Sequence, residues 1–368
     1  MKAMENVAVV VQALNRSAHP AVIARAVDLQ GFGSRRVGEV VVLTAEGVAG
    51  GELLGGGADE RLTREATLLL AGPASARLVD VHIADGPAVA AGLACAGSAR
   101  VLLQDARLVP GRWWELVAAR EPAALVSPLG RGAGQVVTEA LTDGTMTGRS
   151  VTGQAATGQA ATGHAGVDGD GPARRAGELL ARQAAVTEIV DESVVEVWWP
   201  ATHVLVVGTA TLAGAIAHQA GLLGWSTTID PAEARTDPTS AGAPDAGREA
   251  AAPTGLRAAI GALGPADAVV VLTHDPALAT PVLQAALGGR VGFVGALGSR
   301  STQANRRARL TSAGLPPEAI ARLHGPVGLD LGARNPEEQA LAICAEILAV
   351  LRRRTAGGLT GSTGPING

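Results

Sequence analysis

Hydrophobic and polar positions follow three regimes along the chain. Up to about residue 128, short apolar runs broken by Gly-rich turns predict strands: AVIARAVDLQ (21–30), VGEVVVLT (37–44), ARLVDVHI (76–83) and the end of GLACAGSARVLLQ (92–104). GFGSRR and the turn AEG (45–47) join the first strands into a meander that continues in VAGGELL. GGGADERLTREATLLLAG passes from three glycines into a helix with Asp59 and Glu60 in its first turn. PGRWWELVAAR (110–120) reads as a helix with Pro110 near its start, and AALV as a last short strand.

The middle of the chain loses this patterning. TGRSVTGQAATGQAATGHAGVDGDGP carries the tandem repeat ATGQA and almost no charge, so it cannot bury a core and is expected to be flexible. His164 lies within it and is expected to be exposed and inert. ARRAGELLARQAA reads as a helix returning to the fold.

The last regime alternates strands with helices. HVLVV, WSTTID, ADAVVVLTHD (266–275) and VGFV read as strands, and the helices between them predict βαβ units with a parallel sheet. Asn335 as N-cap, Pro336 at the first helical position and Glu338 as the far half of a capping box start the final helix. Ala340, Ile343, Cys344, Ile347, Leu348 and Leu351 fall on one face of it, and Arg352, Arg353 and Arg354 end it, where the dipole favours cations. EARTDPTSAGAPDAGREAAAPTG reads as a mobile loop. The fold class is α/β: an N-terminal, mixed, β-rich domain at 1–143, a linker at 144–188, a Rossmann-like domain at 189–354 and a tail at 355–368.

Length and composition agree with this division. A chain of 368 residues, 47% hydrophobic, suits two globular domains. No apolar run reaches the roughly 18 residues of a membrane span. MKAMENVAVVVQAL makes a poor signal peptide, so a cytoplasmic protein is expected. Two cysteines, Cys95 and Cys344, make no disulfide framework, and a formal charge of -4 leaves no basic footprint for nucleic acid.

Four places carry candidate chemistry. Gly55, Gly56 and Gly57 can bring backbone amides close to an anion at a helix start, or simply form a tight turn. Cys95, between small residues in a turn, can ligate a soft metal or accept sulfur, or can be a small buried filler. Gly208 fits the first glycine of a dinucleotide fingerprint, with Ala210 for the second and Ala213–Gly214 for the third. Asp230 follows about 20 residues later, placed for a ribose hydroxyl. Thr273, His274 and Asp275, then Gly298, Ser299, Arg300 and Ser301, stand at predicted carboxyl ends of parallel strands, where open sheets bind ligands. His274 and Asp275 suit acid–base or ligand roles, or Asp275–Pro276 is an ordinary helix start. Ser299, Arg300 and Ser301 suit a phosphate. Arg306, Arg307 and Arg309 read as a solvated helix face, Cys344 as core. Asp330 lies in the middle of the Gly-rich loop GPVGLDLGARNPEE, which completes that crevice or merely joins strand to helix.

GALGSRST, GPVGLDLGARNPEE and AEI, in that order and with THD before them, resemble the C-terminal domain of the XdhC/CoxI family. The N-terminal motifs are similar to that family's as well: Gly33, Ser34, Arg35, Arg36 and Gly38; Gly55, Gly56, Gly57 and Glu60; Leu93, Cys95 and Gly97. Ala96 stands where the family has a glycine, which narrows backbone approach or forbids a positive φ. Ala232 stands where the family places an arginine after Asp230, which leaves nucleotide choice open. The resemblance implies an accessory factor that binds the molybdenum cofactor (molybdopterin), helps its sulfuration and delivers it to an apo molybdenum hydroxylase such as xanthine dehydrogenase or carbon monoxide dehydrogenase. It also implies a cysteine desulfurase as partner, a homodimer and Cys95 as the metal contact. Two other readings stand beside it: an NAD(P)-dependent oxidoreductase using His274 as proton donor, and a nucleotide-responsive interaction module.

Overall fold

The computed structural model describes residues 2–32, 38–140, 147–152, 171–183, 185–208, 211–231 and 254–361. The chain divides into two compact units, Met1–Pro200 and Ala201–Gly368. Of the motifs read from sequence, Gly33 to Arg36, His164, Ala210 and the 232–253 loop lie outside the described residues.

The first unit opens with a helix that the strand pattern did not predict. α1 (Lys2–Arg16) buries Met4, Val7, Ala8 and Val11, the i, i+3, i+4, i+7 spacing of one helical face. β1 (Val22–Gly31), β2 (Val40–Thr44) and β3 (Gly47–Glu52) form the expected meander. A single 3-10 turn at Leu54–Gly56 leads into α2 (Asp59–Leu70). β4 (Ala76–Ile83), α3 (Asp85–Ala90) and β5 (Gly97–Asp105) follow, and the sheet order is β3-β2-β1-β5-β4, antiparallel throughout. α2 lays Leu62, Ala66 and Leu69 on one face of this sheet, over Val22, Val41, Val101 and Leu103.

α4 (Gly111–Ala118) and β6 (Ala123–Pro128) begin a second antiparallel sheet, completed by β7 (Gln135–Ala140), β8 (Thr147–Thr152), α5 (Pro172–Ala181), β9 (Val186–Val190) and β10 (Ser193–Trp198). Its order is β8-β7-β6-β10-β9. Two expectations shift here. Thr147–Thr152, read as linker, pairs with β7 from Gln135 to Ala140, because ladder hydrogen bonds need backbone rather than apolar side chains. Residues 189–200, expected to open the second domain, stay in the first unit, because β10 pairs with β6 from Ser193 to Trp198.

The second unit is a doubly wound parallel sheet. β11 (His203–Val207), α6 (Thr211–Leu222), β12 (Ser226–Asp230), α7 (Thr254–Gly261), β13 (Ala268–Val271), α8 (Pro276–Leu287) and β14 (Phe293–Ala296) alternate as predicted. α9 (Arg300–Ser312), α10 (Pro317–Ala321), the two-residue β15 (Leu323–His324) and α11 (Pro336–Leu351) complete it. The strand order β12-β11-β13-β14-β15 puts the topological switch between β11 and β13. Strand residues alternate between two cores: Leu205, Val207, Val269 and Val271 meet α7 and α8, while Val204, Val206, Ala268 and Val270 meet α6 and α11. Burial on both faces is why these strands read as unbroken apolar runs.

α11 forms with small departures from its pattern. Asn335 Oδ1 accepts from Glu338 N at 2.8 Å, as an N-cap does, but Glu338 Oε2 accepts from Arg334 N at 2.6 Å, one residue before the usual capping-box partner. Ala342 is buried and Leu348 is exposed, the reverse of the face read from sequence. The loop after β15 folds over the Ala342 side, with Leu329 N donating to Ala342 O at 3.2 Å, and leaves Leu348 at the border.

Candidate functional sites

In the first unit, β1 and β4 end, β2 and β5 begin, and β3 ends at the same edge of one sheet. The three-glycine turn, α3 and the turn carrying Cys95 therefore gather there. Gly55 and Gly56 sit at φ +62° and +79°, left-handed conformations that favour glycine. Gly57 has an ordinary φ, but a Cβ on it would stand 3.0 Å from Ala91 Cβ and 3.2 Å from Ile83 Cδ1, so it lets the turn press against α3. The turn's amides are partly committed: Gly56 N and Gly57 N donate to Leu53 O and Leu54 O at 3.0 Å. A carboxylate already caps Leu54 N, which donates to Glu39 Oε2 at 2.7 Å. Burial, then the nearby Glu52 charge, holds the Asp59 carboxyl above the usual range. This turn is thus a tight strand-to-helix connection in an acidic setting. Glu60 points away from it and pairs with Arg64 along α2 at 3.3 Å.

Cys95 is an exposed free thiol, which removes the reading as buried filler. Its neighbours fix the turn. Ala96 N donates to Asp85 Oδ1 at 3.1 Å, and Phe32 N donates to Ala96 O at 3.2 Å. Ala96 keeps a negative φ, so its side chain costs no backbone strain. Gly97 is where glycine is required: a Cβ there would stand 2.6 Å from Gln30 O and 2.8 Å from the buried Phe32 ring. Among the described residues no group of three or more His, Cys, Asp or Glu side chains could hold a metal ion.

In the second unit, the described residues of the loops after β11, β13, β14 and β15 stand at the carboxyl edge of the parallel sheet. Gly208 ends β11 at φ +120°, where a Cβ would lie 3.0 Å from Thr273 N, and its own amide donates to Asp230 O at 3.0 Å. Gly208 therefore lets β11, β12 and β13 close together at the switch point. Gly214 does no comparable job: it is exposed on α6 with no neighbour within Cβ reach, and the buried Ala213 faces the sheet instead. Thr273 Oγ1 accepts from Asp275 N at 3.2 Å, and Asp275 Oδ1 caps α8 by accepting from Ala277 N at 2.9 Å. Asp275 is thus occupied as a helix cap. His274 is exposed on the same edge.

At the next strand, Ser299 caps α9, its Oγ accepting from Thr302 N at 3.3 Å and lying 2.8 Å from Ser301 Oγ and 3.0 Å from Thr302 Oγ1. Arg300 is exposed at the first position of this helix. Gly298, at φ +133°, packs its backbone against the Thr302 side chain. Two residues that hold this loop were not legible. Gln303, fully buried, donates from Nε2 to Ala296 O at 2.9 Å, and Arg306 donates to Leu297 O at 3.0 Å and to Gln303 Oε1 at 2.8 Å. Arg306, expected on a solvated face, is 5% exposed, and burial lowers its pKa. A polar residue on a polar helix gives no sign in sequence that it turns inward to satisfy strand-exit carbonyls. Glu346 works likewise on the last loop: its Oε1 lies 3.0 Å from His324 Nδ1 and its Oε2 accepts from Gly328 N at 2.6 Å. Asp330 is exposed beyond that loop's brace, on the wall of a cavity of about 290 Å³.

Known proteins resemble parts of this chain. Residues 204–347 match the family described as the XdhC Rossmann domain. A probable xanthine dehydrogenase subunit of Bacillus subtilis (strain 168) is 37% identical over 89 residues, 24% of this chain and 25% of that protein. The molybdenum cofactor insertion chaperone PaoD of Escherichia coli (strain K12) is 37% identical over 83 residues, 23% of this chain and 26% of that one. The chain thus spans about a quarter of the length of the curated relatives it matches. A crystal structure of a xanthine dehydrogenase from Bacillus halodurans aligns over 97% of this chain and 98% of that one, with TM-score 0.46 and 19% identity. The resemblance seen in the THD, GSRS and PVGLDLGA loops is borne out where those loops lie, since they fall within residues 204–347, which match the XdhC Rossmann domain.

Proposed function

We propose that this chain is a maturation factor that binds the molybdenum cofactor, assists its sulfuration and inserts it into an apo molybdenum hydroxylase of the xanthine dehydrogenase or carbon monoxide dehydrogenase type. The observation that carries the proposal is the XdhC Rossmann match at residues 204–347, and a relative 37% identical over 83 residues, named as a molybdenum cofactor insertion chaperone, supports it. The donor set is compatible with such a cargo. The Ser299, Ser301 and Thr302 hydroxyls and Arg300, at the start of a 13-residue helix, suit the cofactor's phosphate. A lone thiolate is no metal site, so Cys95 is proposed as a soft contact to a metal or sulfur atom that other residues hold in place. Bound cofactor would supply the redox metal that the client lacks. The protein's own work is to hold the phosphate, orient the ring system and keep water from it. A cysteine desulfurase as sulfur source and a homodimeric state belong to the same proposal.

One observation favours a nucleotide in place of the pterin: Gly208 and Asp230 meet at the switch point, where dinucleotides bind in related sheets. Co-expression with molybdate in a cofactor-competent host separates the two. The purified protein is oxidised and its pterin fluorescence measured, beside Cys95→Ala. Stoichiometric pterin, lowered in the variant, is the expected result. Purified protein that carries nucleotide and no pterin would sink the carrier reading.

A further inference from the structure

The cavity of about 290 Å³ in the second unit is lined by Leu297, Val327, Leu329, Asp330, Gln339 and Ile343, with the glycine-rich backbone between them. Leu297 follows β14, Val327 to Asp330 follow β15, and Gln339 and Ile343 stand in the first half of α11. The cavity therefore opens at the carboxyl edge, on the face of the sheet that α6 and α11 cover.

Three properties limit what can enter. Its volume of about 290 Å³ lies just below the roughly 300–1,000 Å³ typical of small-molecule sites, enough for one ring system and too little for a whole dinucleotide. Its walls join the aliphatic side chains of Leu297, Val327, Leu329 and Ile343 to polar backbone in about equal measure, and Gly328, at φ +109°, keeps backbone rather than a side chain against Ala342 and Ile343. Its polar lining side chains are the Asp330 carboxylate and the Gln339 amide, and neither is hydrogen-bonded to another described residue. A carboxylate only accepts, whereas an amide both donates and accepts. Together they complement a ring edge that offers adjacent N–H donors beside a carbonyl. A 2-amino-4-oxopyrimidine edge, shared by pterins and guanine, has that pattern. Adenine does not, since it would set a ring-nitrogen lone pair against the carboxylate.

The frame is also braced before any ligand arrives. Glu346 holds Gly328 N and His324 from α11, and Leu329 N donates to Ala342 O. Preorganisation of this kind removes an ordering cost from binding.

We propose that this cavity is the ring subsite for a ligand with a 2-amino-4-oxopyrimidine edge, with Asp330 taking the amino edge and Gln339 the carbonyl. The choice of a pterin as cargo rests on the carrier reading above; the edge chemistry rests on the cavity alone. The test titrates the full chain with 2-amino-4-oxopteridine by fluorescence anisotropy, then competes it with guanosine and with adenosine. Saturable pterin binding is expected, with adenosine at least about tenfold weaker, because a polar site left unpaired by the wrong ring discriminates strongly. Asp330→Ala should weaken pterin about tenfold or more while its thermal unfolding stays unchanged, since Asp330 is exposed. Displacement by guanosine as readily as by pterin assigns the site to either source, and displacement by pterin alone to the pterin; both uphold the proposal. Adenosine binding as tightly as pterin, or an Asp330→Ala variant with full affinity, overturns it. The two readings fail separately. Ring discrimination without any cofactor in the co-expressed protein removes the carrier and keeps the subsite. Full cofactor content in Asp330→Ala, without ring discrimination, removes the subsite and keeps the carrier.

Discussion

Replacing Glu196 by Ala tests how the first unit holds its two sheets. Arg25 on β1 and Glu196 on β10 are 2% and 5% exposed, with guanidinium and carboxylate 2.8 Å apart. Arg25 also donates to Gln104 Oε1, which accepts from Ser127 Oγ at 3.1 Å. Glu196→Ala removes the counter-charge and leaves a guanidinium where water does not reach. The Gln104 amide is a dipole and offsets only part of that. Breaking a buried pair from one side costs about 3–5 kcal/mol. In a unit of this size each kcal/mol moves the melting temperature by about 2–4 °C, so the first unit should melt about 6–20 °C lower. Tryptophan emission mainly reports this transition, because Trp113, Trp114, Trp198 and Trp199, four of the chain's five tryptophans, are buried in the first unit. The double variant Arg25→Met, Glu196→Leu strands no charge and should recover most of the loss. A loss below about 1 kcal/mol for Glu196→Ala, or a double variant as unstable as the single one, would refute the reasoning.

The glycines of the second unit should separate by role. Gly208→Ala forces a side chain into φ +120° against Thr273 N and should cost about 1–2 kcal/mol or more, whereas Gly214→Ala on the exposed face of α6 should be neutral or gain up to about 1 kcal/mol; urea unfolding followed by circular dichroism reads both, and equal effects would contradict the assignment. The two thiols should differ just as clearly. Iodoacetamide at mild alkaline pH should label Cys95 in the native protein and Cys344 only after unfolding, as peptide mass spectrometry would show. Burial pushes the Cys344 thiol up from 9.0 to about 11, so the folded state keeps a proton that the unfolded state loses. Its contribution is full below pH 9 and disappears as pH rises to about 11, a fall of at most about 3 kcal/mol that Cys344→Ala should abolish. An unchanged slope in that variant counts against the cause given.

Much of the fold was legible because local patterns and tertiary packing agree. The runs around β1, β11 and β13 are apolar enough to be strands in a compact fold, and Asn335–Pro336 followed by Glu338 and an apolar helical face is a local helix start. α1 was missed because its apolar face was weighed as a targeting signal, although Met4, Val7, Ala8 and Val11 already carried helical spacing. The domain boundary was misplaced because a low-complexity stretch looks like a divider, while β10 was drawn back to β6 by ladder pairing that no local pattern encodes. For the candidate site, the sequence named the loops. It did not name the side chains that hold them: Gln303, Arg306 and Glu346 lie on polar helix positions, and only contact with strand-exit backbone reveals their purpose.

The sequence by itself determined the alternation of strands and helices in the second unit, the position of its Gly-rich loops and the family those loops resemble, because turn chemistry and apolar periodicity are local properties. Tertiary structure alone decided that the described loops share one edge, that Cys95 is exposed while Cys344 is buried, that Gly214 is exposed on α6 while Asp275 caps α8, and that Asp330 and Gln339 line one cavity. Each of these depends on strand order and on which groups backbone folding brings within hydrogen-bonding distance, and neither is written in any single stretch of chain.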